Sequence, residues 1–408
     1  MSVSPEKVAY SASRVLPDAH AEPMVDASVV VEDGRVVAVT RRAGIPSGYP
    51  EVDLGDRWLL PGMIDLHVHL VWDGSAEPLR AMQSESAELT AIRCVQRAHR
   101  HLVNGVTTVR DVGGPHRMVL AARSAIEDGV ASGARVLAAG SPIVMTGGHG
   151  HEMGVIADGV DGVRWAVRSM LAEHVDLIKV MAGGGVFPRG ERLDSVQLGL
   201  DELTAAVTEA HNNGRRVAAH AHGLRAIKNS IVAGVDTIEH SCFLDAEAAA
   251  LAKENDQVIV PTLVAFHRYV ELGTENGLPA HPVEKAGRAL TGGFEAVGHA
   301  RAAGVPVGAG TDAGGRGKPH GCLAAELELL VKAGLTPREA LAAATTVAAS
   351  ACGRDDLGAL RAGAAADLIA TEADPTADIG ALTRIDTVIA GGTPVVRDGR
   401  PVLGTVGG

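Results

Sequence analysis

The chain has 408 residues, of which 46% are hydrophobic and only 2% aromatic, and its formal net charge is −12. That length predicts one large domain with an accessory module, or two domains, around an aliphatic core. The acidic balance argues against a nucleic-acid partner, which needs a basic face. Cys94, Cys242, Cys322 and Cys352 lie far apart without a CxxC pattern, as expected for reduced thiols.

The first residues hold no apolar stretch of signal-peptide length, and no run of about 18 apolar residues occurs. A cytoplasmic protein with no membrane span is therefore expected. Residues 27–40 (ASVVVEDGRVVAVT) place two Val-rich runs around Asp33-Gly34, a hairpin signal. Residues 58–62 (WLLPG) lead into a region of different texture. There, short apolar runs recur at 63–68, 106–109, 135–139, 177–181, 216–219, 235–238, 257–260 and 305–308. Helix-like stretches lie between them at 87–104, 160–173, 200–213, 245–255 and 284–303, several ending in Asn-Gly or Ala-Gly. Eight strands each followed by a helix predict an α/β chain folded as a (β/α)₈ TIM barrel. A doubly wound open sheet is the alternative, but no GxGxxG follows an early strand. Residues 366–371 and 388–399 return to strand, turn, strand. Residues 1–61 and 357–408 are thus expected to form one small β-sandwich from both chain ends, with the barrel spanning 62–356.

In such a barrel chemistry sits at the C-terminal ends of the strands, so the polar residues closing each run matter. The first run closes on His67-Val68-His69. Residues two apart on a strand share a face, so both imidazoles point the same way, as two ligands to one metal or as two hydrogen-bonded core histidines. Lys179 lies inside the apolar fourth run, where a charged amine is costly. Either it snorkels or pairs with a carboxylate, or it is a neutral amine that takes up CO₂ as a carbamate able to bridge two cations. The fifth run closes on His220-Ala221-His222, the sixth on Glu239-His240, the eighth on Thr311-Asp312.

With that series the sequence resembles the amidohydrolase superfamily, over nearly the whole chain. Within it, the metal-dependent Xaa-Pro dipeptidase or imidazolonepropionase-like group is similar in TTVRDVGG (107–114), TGGHGH (146–151), IKVMAGGGV (178–186), AAHAHG (218–223), TIEHSCF (237–243) and GAGTDAG (308–314). The resemblance implies two divalent ions, most simply Zn²⁺. His67, His69 and Asp312 would hold one, His220 and His240 the other, with a carboxylated Lys179 and a hydroxide between them. It implies cleavage of a C–N amide bond in a dipeptide or N-acyl amino acid, with Asp312 as general acid and base. A cyclic-amide hydrolase or deaminase, a promiscuous lactone or phosphotriester hydrolase, and a barrel that has lost catalysis are the alternatives. Homo-oligomers are common in such relatives.

Further expectations attach to the loops. His149 and His151, in the Gly-rich loop after the third run, are placed at the substrate carbonyl, or else on a solvated surface loop. His222 either contacts substrate or supports the metal ligands; relatives often carry Tyr there. Arg189, Arg316 or Lys318 would bind a substrate carboxylate unless each is an ordinary solvated loop charge. His320 opens a helix-like stretch and is a candidate substrate contact, or else a support behind the residues that hold the metals.

Overall fold

The computed structural model describes residues 6–115, 117–187, 189–276 and 278–402. The chain starts with β1 (Lys7–Val15), β2 (Met24–Glu32), β3 (Arg35–Arg41), β4 (Glu51–Asp53) and β5 (Trp58–Pro61). β1 and β2 are antiparallel, with Tyr10 opposite Val29. Asp33 and Gly34 join β2 to β3 with φ of 49° and 73°. That pair of left-handed residues gives the tight turn whose twist matches two antiparallel strands.

The central part then alternates strand and helix. Its strands are β6 (Met63–Val68), β7 (Val106–Asp111), β8 (Arg135–Ala138), β9 (Ile143–Val144), β10 (Val155–Ile156), β11 (Leu177–Met181), β12 (Arg216–Ala221), β13 (Thr237–His240) and β14 (Val258–Val260). All their pairings are parallel, in one sheet ordered β6-β7-β8 and another ordered β10-β9-β11-β12-β13-β14. Strands covered on both faces need not alternate between apolar and polar residues, and every residue of β6, β7, β11 and β13 is buried. Helices such as Ala87–Val103, Gly159–Ala172, Leu200–His211 and Ala246–Glu254 lie between them.

Two expectations change here. The eighth run, 305–308, is not a regular strand, and no continuous eight-strand ladder is present among the described residues. Instead 305–313 joins its neighbours by single bridges, Val307 to Ile259 and Ala313 to Val68, and by hydrogen bonds such as Asp312 N–H to the His67 carbonyl at 2.7 Å. The reason lies in Gly310. A Cβ there would overlap the His67 and Val260 side chains, so the backbone approaches its neighbours too closely for a pleated register. Five other runs also differ in bounds: β7 runs on to Asp111, β8 stops at Ala138, β12 runs on to Ala221, β13 spans Thr237–His240 and β14 starts at Val258.

The chain ends with β15 (Leu368–Thr371), β16 (Ile385–Ala390), β17 (Thr393–Arg397) and β18 (Arg400–Pro401). These join β1–β5 in one nine-stranded sheet through the antiparallel pairing of β15 with β5.

Candidate active site

The parallel strands end together, and their last side chains converge on a cavity of about 310 Å³. β6 brings His67 and His69, and the segment after Gly310 brings Asp312. One donor atom from each lies within 4.8 Å of the others. β12 and β13 bring His220, His222 and His240, which form a second group on the same criterion. The His67 and His240 ring centroids are 4.8 Å apart, so the two groups adjoin. Lys179, in the middle of β11, lines the same cavity. It is 1% exposed, and its Nζ has no hydrogen-bond partner among the described residues.

Each imidazole is held by its second nitrogen. His69 Nδ1 donates to the Gly113 carbonyl at 2.7 Å, and His220 Nε2 lies 3.3 Å from the Gly184 carbonyl. His67 Nδ1 is 2.7 Å from Glu239 Oε2, and His240 Nδ1 is 2.7 Å from the Thr262 hydroxyl. A carbonyl or carboxylate accepts only, so it places the proton on the near nitrogen and leaves the other with a lone pair. Burial then keeps the His67, His220, His222 and His240 rings neutral. It lowers His67 to about 4 and His222 to about 3, and holds His220 and His240 well below the usual imidazole range. Burial likewise lowers the Lys179 amine to about 8. Burial would raise the Asp312 carboxyl, but Lys318 and the two histidines hold it well below the usual carboxylate value. Neutral imidazoles, an ionised carboxylate and an unpartnered amine form a donor set suited to divalent cations.

The backbone around them is unusual. His240, Ser241, Thr262 and Asp312 have φ of 69°, 44°, 50° and 55°. Non-glycine residues rarely adopt the left-handed region, and such strain collects at functional sites.

The cavity is also lined by His149, Arg316 and Lys318, as expected. The His149 ring stacks on His220 at 4.5 Å. Three other expected contacts lie elsewhere. Arg189 is exposed and does not line the cavity. His151 is exposed on its loop, its Nδ1 3.1 Å from the Gly148 carbonyl. His320 is buried behind Trp72, donating to the Trp72 carbonyl at 2.7 Å, with its other ring nitrogen 3.0 Å from His101. The two expected cations are also engaged. Lys318 pairs with Asp312 Oδ2, and its Nζ lies 5.5 Å from the centre of the Tyr269 ring. Arg316 sits 4.4 Å over the Phe187 ring and 3.2 Å from Glu77.

Sequence reasoning missed the layer beneath. Glu239 accepts from Arg110 at 2.7 Å and from Thr237 at 2.5 Å while holding His67. Burial would raise its carboxyl, but Arg110 and His67 hold it far below the ordinary value. Asp65, two residues before His67 on the same strand face, accepts from the Thr311 amide at 3.0 Å and hydroxyl at 2.7 Å. A charged residue inside an apolar run, for Asp65, or closing one, for Glu239, was the available signal. Of four Phe, three Trp and three Tyr in the chain, Phe187, Phe266, Trp72 and Tyr269 line this cavity.

A family model described as the amidohydrolase family matches residues 58–395. An ochratoxinase from Aspergillus niger is 32% identical over 394 residues, covering 88% of this chain and 80% of that one. An imidazolonepropionase from Deinococcus deserti is 27% identical over 387 residues, covering 87% of each. A crystal structure described as a Xaa-Pro dipeptidase with methionine bound in the active site superposes with a TM-score of 0.88 at 30% identity. It covers 96% of this chain and all of that one (100%).

Proposed function

The chain belongs to the amidohydrolase family and is a hydrolase acting on C–N bonds, and from that premise we propose that it cleaves the amide of a dipeptide or N-acyl amino acid at a two-metal centre. The central strands and the 305–313 segment are read as a (β/α)₈ barrel over 62–356, with 1–61 and 357–408 as a small β domain built from both chain ends. One observation carries the assignment. Two groups of donors adjoin at one cavity, and a buried amine lining that cavity has no hydrogen-bond partner among the described residues.

The residues present fit the metals. His67, His69 and Asp312 would hold one ion, and His220 and His240 the other. Lys179 would bridge them after its amine nitrogen bonds to the carbon of CO₂ and gives up a proton, which leaves a carbamate with two acceptor oxygens. Bound there, divalent cations lower the pKa of a water and polarise a carbonyl. The protein supplies the remainder. Asp312 is an ionised carboxylate at the cavity floor, placed to take the proton of the attacking water and return it to the leaving nitrogen. His149, which lines the cavity, borders the reacting amide with a ring nitrogen. His222, 4.7 Å from both His220 and His240 between ring centroids, supports the second group and borders the substrate. The aromatic wall suits an apolar group on the substrate.

The test is hydrolysis of dipeptides and N-acyl amino acids by the purified protein, with metal content measured on the same sample. About two ions per chain and amide cleavage are expected. Asp312→Asn should lower kcat by about 10²–10⁴-fold with the fold retained. One ion per chain with ring-opening or deaminase activity would favour the imidazolonepropionase-like alternative. Unchanged turnover in Asp312→Asn would remove the proposed base.

A further inference from the structure

His149 does not reach its place through its own loop alone. Its Nδ1 is 3.1 Å from Glu191 Oε2, an oxygen that also accepts the Gly185 amide at 2.5 Å. Its backbone amide donates to Gln197 Oε1 at 2.8 Å. Glu191 is anchored in turn, because Lys285, on the long helix Ala280–Ala303, donates to its carbonyl at 2.6 Å. Gly185 completes the seat. A Cβ at that position would overlap the His149 ring, so only glycine leaves the space that the imidazole fills. The loop after β11 therefore supplies the floor, the acceptor and the clearance for a side chain carried by the loop after β9.

We propose that Glu191 is a positioning residue for the reaction, fixing both the seat and the tautomer of His149. A carboxylate accepts and never donates when ionised, so the proton shared with it sits on Nδ1. Nε2 is then the ring nitrogen left for substrate. The logic is that of a buried carboxylate orienting a working imidazole, here across two loops of different strands. The inference rests on the reading above that His149 meets the substrate at the reacting bond.

The experiment compares wild type, Glu191→Leu, Glu191→Gln and Gly185→Ala as purified holoenzymes. Its readouts are kcat and KM on a cleaved dipeptide and the ¹⁵N signals of labelled histidine, His149 being identified by its absence in His149→Gln. Wild type should show His149 with its proton on Nδ1. Glu191→Leu should lose that signature and lower kcat by about 10–100-fold, with KM changed far less. Glu191→Gln keeps a carbonyl acceptor and should restore the signature and part of kcat. Gly185→Ala displaces the ring while keeping the Glu191 carboxylate and the backbone amide that donates to it, and should lower kcat in the same way. An unaltered His149 signal or wild-type kcat in Glu191→Leu overturns the proposal. Should that variant fail to fold, judged by near-ultraviolet circular dichroism, an unmoved His149 signal and unchanged kcat in Gly185→Ala overturn it instead. If the wild type cleaves no amide, the proposed function fails, and the tautomer comparison still decides the role of Glu191.

Discussion

Lys179 is the residue that most constrains the chemistry. An ammonium buried in an apolar strand, with no hydrogen-bond partner among the described residues, is expensive enough that the group is driven toward a neutral or modified form. If a carbamate is what the site requires, Lys179→Ala removes it and leaves a gap of matching size. Activity should fall by about 10²-fold or more, and millimolar acetate or propionate should restore a measurable part of it while chloride does not. Equal activity with either salt counts against the bridging role. Glu239 makes a second, independent case. It neutralises Arg110 and holds His67 with none of its surface exposed. Glu239→Gln would leave the Arg110 guanidinium without its counter-charge, at a cost of about 3–5 kcal/mol. Denaturant unfolding should register that loss together with weaker metal retention. A stability within about 0.5 kcal/mol of wild type would mean that Arg110 finds another partner. The metal-ligand candidates were legible because each closes or interrupts an apolar run, where a polar group is conspicuous. Arg110 and Glu239 stand in similar positions, yet their partnership spans 129 residues of sequence. No local pattern reports which buried charge meets which.

Among the elements, the helix Leu263–Leu272 shows how the site borrows from the scaffold. Its N-cap residue, Thr262, lies at φ 50° and makes no side-chain cap, because its hydroxyl is engaged by His240. The exposed helix amides are met instead from the helix Leu323–Lys332. Glu326 accepts from Leu263 N–H at 2.9 Å and from Val264 N–H at 2.6 Å, a carboxyl set against the positive end of a helix. Burial outweighs those hydrogen bonds and raises this carboxyl from 4.5 to about 8. The folded state therefore binds more protons here than the unfolded state between those two values. The stability contributed by protonated Glu326 is complete below about 4.5 and is lost as pH rises through about 8. Glu326→Gln cannot titrate. Its deficit against wild type in melting temperature should be largest near the acid end of that window and shrink toward the alkaline end. A deficit that stays constant or grows would mean the carboxyl is ionised throughout. The strands and helices that the sequence made legible are those with sustained apolar runs, such as β6 and β11. The 305–308 segment reads as a strand by hydrophobicity, but Gly308 and Gly310 let it sink between β14 and β6, a packing outcome that periodicity does not encode.

At the scale of the whole molecule, the two chain ends do more than cover the central fold. Along β15, Leu368 and Ala370 join a core formed with Tyr10, Val29 and Leu59, whereas Ile369 between them joins the large core of the central strands and helices. The neighbours repeat this pattern. Leu59 and Ile389 face the first core, and Leu60 and Val388 face the second. A two-residue side-chain period makes this unavoidable when a sheet is covered on both faces. The sequence revealed that the ends resemble each other and pair, but not that each strand is shared between two cores. Polar ties follow the same seam: Arg135 reaches Asp367 at 2.6 Å, and the Gly62 amide donates to the Asp367 carbonyl at 2.9 Å. Ending the chain at Ala365 would withdraw Ile369, Val388, Val395 and Val396 from the large core, at about 1.5–3 kcal/mol each. That sum is comparable with the entire stability of an ordinary domain, about 5–15 kcal/mol. Such a fragment should lose near-ultraviolet circular dichroism, bind a hydrophobic dye and hold no metal. A fragment that keeps native spectra and about two ions per chain would show that the central fold stands alone, and that the shared strands add cover rather than core.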